Sequence, residues 1–363
     1  MLGSFFSNPL WQNFQNCKVR VVSLSEPEHR LRDALALMCL RDFLPPRRRS
    51  CERVTIDGPE PPQLPALQEG DGLVLLGRPS LFGRSCLDLI RKVSPPLLYS
   101  FCSDRSTERT PYRTIAGPLG PLLESEPYDR LRGQGRTNVD DCAIVYAGWK
   151  GRIPIMILAG TSTVGTWGAA EYAVSDVEGV DDVRWQREIQ GVVRASVSSR
   201  VEAFEQVTVD VVELVAPARI WMQGNDLPPW DGWRRLVGQT EGRGGAKGKF
   251  DLDILVNGQK VAGKATTFLP ALILLAWIGD PNRRGFRAGH FARTTVGEIS
   301  ARLDAFFGKR CVELAYINAT LKSLTRAIRA KGGIAHIDKN DNGDDRYCVC
   351  ARKLPAFLAN WQQ

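Results

Sequence analysis

"IPIMILAGTSTVGTWGAAEYA", residues 153–173, sets the character of the first half of the chain. Ile153 to Ala159 is a short, nearly continuous apolar run, as expected of a strand buried on both faces. Gly160 ends it. Thr161, Ser162 and Thr163 then offer hydroxyls, and Gly165, Thr166 and Gly168 lie at the start of a helical stretch. A buried strand passing through a glycine turn into a helix is the building unit of an α/β fold. Glycines allow close backbone approach, and a helix N-terminus beside hydroxyls suits an anion or a phosphate. The spacing is G-x-x-x-x-G-x-x-G with no Lys after the second Gly, so it is neither a P-loop nor G-x-G-x-x-G. The plainer alternative is a strand-to-helix turn whose glycines serve packing.

Outward from this turn the same alternation continues. "CKVRVVSLS" (17–25) alternates like a strand, and 26–44 has helical periodicity with Pro27 in its first turn. "GLVLLG" (72–77) is a second buried strand, ending in the turn Gly77-Arg78-Pro79-Ser80. "PSLFGRSCLDLIRKV" suggests a helix and "PLLYSFCS" a strand; 103–138 is polar, rich in Gly, Pro and Arg, and expected to be loop. "CAIVYAGW" and "RIPIMILAG" are two strands around a turn at Lys150-Gly151. These elements predict a Rossmann-like parallel-sheet α/β domain over 15–178. In open α/β sheets ligands sit at the carboxyl ends of strands. The candidate ligand residues are therefore Gly77, Arg78, Gly160, Thr161, Ser162, Thr163, Gly165 and Thr166. The arrangement resembles Rossmann-like sensor domains attached to bacterial helix-turn-helix regulators, which implies a small ligand; the turn suits a nucleotide or another anion, of unknown identity.

Residues 179–240 form a connecting region of unassigned fold, with strand character in "FEQVTVDVVELVAPARIWM" and a Trp cluster at Trp221, Trp230 and Trp233. "GQTEGRGGAKGK" (238–249) has linker composition.

The charge is unevenly placed. The chain has 48 Lys+Arg and 40 Asp+Glu. From Glu241 to Lys353 there are 20 basic and 11 acidic residues, an excess of nine; the remainder has 28 and 29. A basic module attached to a neutral one is the electrostatic footprint of nucleic-acid binding, the alternative being a solvated basic face.

Within that module, "KFDLDILVNGQKVAG" gives two strands around Asn257-Gly258, a hairpin dipeptide. "KATTFLPALILLAWIGDP", "TTVGEISARLDAFFG" and "VELAYINATLKSLTRAIRAKGG" follow as three helices, and "IAHIDKNDNGDDRYCVCARK" as a hairpin with a polar tip. In the third helix Ile317, Leu321, Leu324 and Ile328 form an apolar stripe, with Asn318, Lys322, Arg326 and Arg329 on another flank. This order is similar to the winged-helix output domain of OmpR-type response regulators, over about 250–353. The resemblance implies a winged helix-turn-helix domain over 241–353, a tail at 354–363, and a third helix that enters the major groove of double-stranded DNA. The DNA-binding residues it implies are Asn318, Lys322, Arg326 and Arg329 on the helix, and Lys339 and Arg346 at the hairpin. Winged helices also bind proteins, and the acidic tip "DNGDD" keeps a protein partner open. The acidic cluster, phospho-accepting Asp and Lys of a two-component receiver find no place in 1–180, so phosphorylation is not the expected input.

Signals for other classes are thin. His29, His290 and His336 are dispersed, and no H-E-x-x-H, G-x-S-x-G or C-x-x-C occurs. Asp140-Asp141 precedes a strand; such pairs bind metal or do acid–base work, but more often end a loop. Nine cysteines without disulfide-type spacing suggest a reduced compartment. The start lacks a basic n-region and a small-residue cleavage site, and the longest apolar run, from Leu269, is too short to span a bilayer. The expectation is a cytoplasmic DNA-binding regulator with a ligand-sensing domain, no catalytic residues and no metal. The alternatives are an effector of bacterial defence that docks a protein, and a nucleotide-acting enzyme.

Overall fold

The structure is a computed structural model describing residues 8–25, 30–55, 64, 66–77, 89–90, 97–103, 112–117, 120–125, 138–175, 188–198, 207–216, 220–223, 253–256, 259–260, 273–274, 276–277, 292–307, 312–331, 333–339, 345–350 and 352–353. The chain divides into two compact units, Met1–Val215 with Leu354–Gln363, and Ala216–Lys353.

The first unit is mixed α/β. Its strands are β1 (Lys18–Ser25), β2 (Arg49–Thr55), β3 (Asp71–Gly77), β4 (Ser100–Ser103), β5 (Tyr112–Gly117), β6 (Gly120–Glu124), β7 (Asn138–Lys150), β8 (Ile153–Gly160), β9 (Ile189–Ser198) and β10 (Val207–Ala216). Among the described residues its α-helices include α1 (Arg30–Phe43) and α2 (Thr163–Val174). Seven strands of this unit lie in one sheet in the order β10-β9-β7-β8-β3-β1-β2. β2, β1, β3 and β8 run parallel, whereas β7 pairs antiparallel with β8 and β9, and β9 with β10. The all-parallel sheet expected from sequence is thus corrected to a mixed one. The cause is the turn at Gly151, whose φ of 61° suits glycine. It joins β7 to β8 directly, and a tight hairpin reverses the chain, whereas a parallel neighbour needs a long crossover. Residues 189–198, not assigned from sequence, and 207–216, where strand character was expected, extend this antiparallel half.

Burial follows position in the sheet. Every residue of β3 is buried, as a central strand covered on both faces requires. β10 begins with alternation: Val207 and Val209 are buried, Thr208 and Asp210 exposed. One face of the sheet carries Val22, Leu24, Leu73, Leu75, Tyr146, Ile155 and Ile157, packed with Leu89 and Ile90. α2 is buried almost all round. A methyl group on its Gly168 would lie 2.3 Å from the Ala195 Cβ, so glycine lets the helix sit close over β9. The carbonyls at the end of α2 accept from side chains of the amino-terminal turn: Asn8 Nδ2 donates to Tyr172 (2.6 Å) and Trp11 Nε1 to Ala173 (2.7 Å). β4, β5 and β6 form a separate antiparallel sheet. Two of its strands fall where a loop was expected; they are short and carry glycines at or near their ends, and only Ile115 of β5 is fully buried, which leaves little periodic signal.

The second unit contains β11 (Ile220–Gln223), β12 (Asp253–Val256) and β13 (Gln259–Lys260), paired antiparallel in that order. Ile273, Leu274, Ala276 and Trp277 are helical and fully buried. β14 (Ala292–Thr295), α3 (Val296–Phe307), α4 (Leu314–Ala330), β15 (Ile334–Lys339) and β16 (Asp345–Cys350) follow. β14, β15 and β16 form an antiparallel sheet in the order β14-β16-β15. α3 begins with a capping box: Thr295 Oγ1 accepts from the Glu298 N–H (3.2 Å), and Glu298 Oε2 accepts from the Thr295 N–H (2.8 Å). Arg302 Nη1 donates to the Ala276 carbonyl at 2.7 Å, tying α3 to the preceding helical residues. Asn257-Gly258, the 238–249 stretch, Trp230, Trp233 and the hairpin tip 340–344 lie outside the described residues.

Candidate functional site

Two places carry the residues singled out from sequence. The first is the turn between β8 and α2. Its backbone donors and hydroxyls converge on the carboxylate of Asp141, a residue of β7 that is 3% exposed. Oδ2 accepts from the N–H groups of Ser162 (3.1 Å) and Gly165 (2.6 Å) and from the Ser162 hydroxyl. Oδ1 accepts from the Cys142 N–H (2.8 Å) and from the Thr161 hydroxyl. Ser162 Oγ also accepts from the Val164 N–H (3.3 Å), the usual N-cap contact. Thr166 Oγ1 accepts from the Gly160 N–H (3.2 Å) and lies 3.0 Å from the Gly77 carbonyl, joining β8, α2 and the end of β3.

The N–H groups that an external anion would use are therefore taken by an internal one. The positive end of α2 is neutralised from within the sheet. The glycines fit this arrangement. A methyl on Gly165 would lie 2.5 Å from the Cys142 carbonyl oxygen and 2.9 Å from Asp141 Oδ2, and one on Gly160 would lie 2.2 Å from the Thr166 nitrogen. Gly77, Gly160, Thr161, Ser162, Gly165 and Thr166 are brought together; Thr163 is buried at the first position of α2, and Arg78 lies outside the described residues. The residue at the centre, Asp141, was noted from sequence only as half of an acidic pair. The hairpin register holds the signal: β7 pairs with β8 from Lys150↔Ile153 to Ala143↔Gly160, and two further steps bring Asp141 opposite Ser162. Burial, then the Asp141 charge, raises the neighbouring Cys142 thiol well above its ordinary value.

The second place is α4. Ile317, Leu321, Leu324, Thr325 and Ile328 are its buried residues. Lys322, Arg326 and Arg329 are exposed and Asn318 is half-buried. The helix contains no Asp or Glu. Three of the four candidate contact residues on it are held by the hairpin that follows. Asn318 Oδ1 accepts from the Tyr347 hydroxyl. Arg329 Nε donates to the Ala335 carbonyl. Lys322 Nζ lies 3.5 Å from Asp345 Oδ2. Among the described residues Arg326 makes one long contact, Nε to the Lys322 carbonyl at 3.4 Å. The Tyr347 ring is fully buried and packs edge-on to Trp277 with centroids 5.7 Å apart. Burial, with Asp345 adding, pushes its phenol up to about 12, so it stays a neutral donor. Lys339 and Arg346 stand on β15 and β16, in backbone register with Asp345 and Asp338, respectively, across the hairpin. Leu314 and Tyr316, not singled out from sequence, are each 43% exposed at the start of α4.

Among the described residues no group of His, Cys, Asp and Glu is placed to hold a metal ion, and no helix is long and apolar enough to cross a membrane. No protein-family model, curated protein or solved structure matches the chain.

Proposed function

We propose that this protein is a duplex-DNA-binding regulator. Residues 241–353, within its Ala216–Lys353 unit, act as a winged helix of the OmpR type, and its first unit, Rossmann-like in character, supplies the regulatory input. One observation carries the reading: an acid-free helix, α4, exposes Lys322, Arg326 and Arg329 outside its buried stripe and is followed directly by an antiparallel hairpin. The element order strand, helix, helix, strand, strand with β16 central supports the same assignment. So does the basic excess of residues 241–353. In this reading α4 enters the major groove and the β15–β16 hairpin lies along the backbone. Ligand sensing by the first unit stays part of the proposal, but away from the α2 turn, where Asp141 occupies the donors.

The exposed apolar pair Leu314 and Tyr316 favours a second reading, in which α4 docks a protein. A gel-shift titration of the full chain on mixed-sequence duplex separates the two. The DNA reading expects binding at low salt, with log K falling by about 0.9 per phosphate neutralised as log salt rises. A folded protein with no duplex affinity at low salt overturns it.

A further inference from the structure

The proposed duplex contact leaves open which side chains of α4 meet base edges, and the hydrogen bonds of the helix narrow the choice. Reading adenine with an Asn uses both ends of the carboxamide, the oxygen accepting and the nitrogen donating. The oxygen of Asn318 already accepts from the Tyr347 hydroxyl, which leaves it one lone pair and fixes the carboxamide toward the hairpin. Asn318 is also only half-exposed, on the side of the helix turned toward the hairpin. Arg329 points its Nε at Ala335, and the charge of Lys322 is matched by Asp345.

The side of α4 opposite the buried stripe is a different line. Tyr316, Ala319, Ser323, Arg326 and Ala330 follow one another at helical spacing, and all are exposed. The small residues between Tyr316 and Arg326 let a helix backbone approach a groove floor closely. Tyr316 brings a hydroxyl and a ring edge; Arg326 brings a planar fork matching the two acceptors of guanine. Ten residues of helix separate them, about 15 Å at 1.5 Å per residue, or roughly four base-pair steps at about 3.4 Å each.

Resting on the duplex-binding reading above, we infer that Tyr316 and Arg326 are the specificity-determining residues of α4, and that Asn318 is a positioning residue that fastens the hairpin to the helix through Tyr347. The Tyr316 end of the helix reads one part of the site and Arg326 reads a guanine at the other.

The test is selection from a randomised duplex library by the full chain, comparing the bound sequences of wild type and variants. Tyr316→Ala and Arg326→Ala should each erase base preference at a different position, the two about four base pairs apart on the spacing above. Asn318→Ala should leave the preferred sequence unchanged while lowering the melting temperature or weakening all sequences equally. Tyr347→Phe keeps the buried ring and removes only the hydroxyl, so it checks the same point where Asn318→Ala folds poorly; it too should leave the preference intact. Loss of preference at one position in Asn318→Ala or Tyr347→Phe, with Tyr316→Ala unchanged, overturns the inference. Wild-type binding without any base preference also overturns it, yet leaves the duplex reading standing. A folded wild type that binds no duplex removes both.

Discussion

Asp141 is the residue on which the first unit turns. Its carboxylate accepts from three backbone N–H groups and two hydroxyls in a site that is nearly closed to water. Replacing it with Asn keeps the shape but sets an NH2 group against N–H donors. Each buried donor left unpaired costs about 1–3 kcal/mol. Asp141→Asn is therefore expected to lose roughly 2–4 kcal/mol of stability in urea unfolding; a variant within 0.5 kcal/mol of wild type, roughly the scatter of a neutral surface change, would contradict the assignment. The turn itself was legible in sequence, because glycines and hydroxyls after an apolar strand have local signatures. Its occupant was not, because Asp141 reaches the turn only through the pairing of β7 with β8. Alkaline pH probes the same interior. Burial raises the Cys142 thiol and the Tyr146 and Tyr172 phenols above ordinary values of 9.0 and 10.0. A raised acid stays protonated in the folded chain while the unfolded chain ionises, so stability is fully present below those values and declines as pH rises past them. The melting temperature should be level through neutral pH as far as these groups are concerned and fall from about pH 9 upward; a flat profile into strongly alkaline buffer would contradict the buried, neutral state of all three.

At the scale of elements, α3 and α4 show how far local pattern reaches. The period of Ile317, Leu321, Leu324 and Ile328 was legible in sequence, and the structure buries all four; the Thr295–Glu298 capping box is equally local but was not singled out from sequence. Leu321 is fully buried. Leu321→Ala should cost about 2–5 kcal/mol through lost transfer energy and the cavity left behind, whereas Thr295→Ala should cost about 0.5–2 kcal/mol. Thermal unfolding of the pair checks the ranking, and equal effects would contradict it. The basic stripe was legible as a stripe. Its division into residues held by the hairpin and residues turned outward was not, because Tyr347, Ala335 and Asp345 come from strands whose register only the fold supplies. The ion pair of Lys322 with Asp345 is half-exposed on one side, and such pairs are worth only about 0–1 kcal/mol, so it orients the lysine more than it stabilises the unit.

For the whole molecule, composition was the better guide. The basic excess lies in the second unit, while the first combines a mixed sheet, α1 and α2 with a nearly balanced charge. The mixed sheet was harder to foresee, since a buried strand looks alike whether its neighbour runs parallel or antiparallel, and only the short turn at Gly151 marks the reversal. The central claim is that the outward face of α4 meets duplex DNA. Fluorescence anisotropy of a labelled mixed-sequence duplex and of a library-selected site, each titrated with the full chain and with Arg326→Ala across a salt series, tests it most directly. The account predicts a steep, linear fall of log K with log salt for the wild type, and for Arg326→Ala weaker binding with a slope smaller by about one if the contact is to phosphate, or with a loss of about 1–3 kcal/mol on a preferred site if it is to a base. Duplex binding by Arg326→Ala that matches wild type in affinity, slope and sequence preference would contradict it.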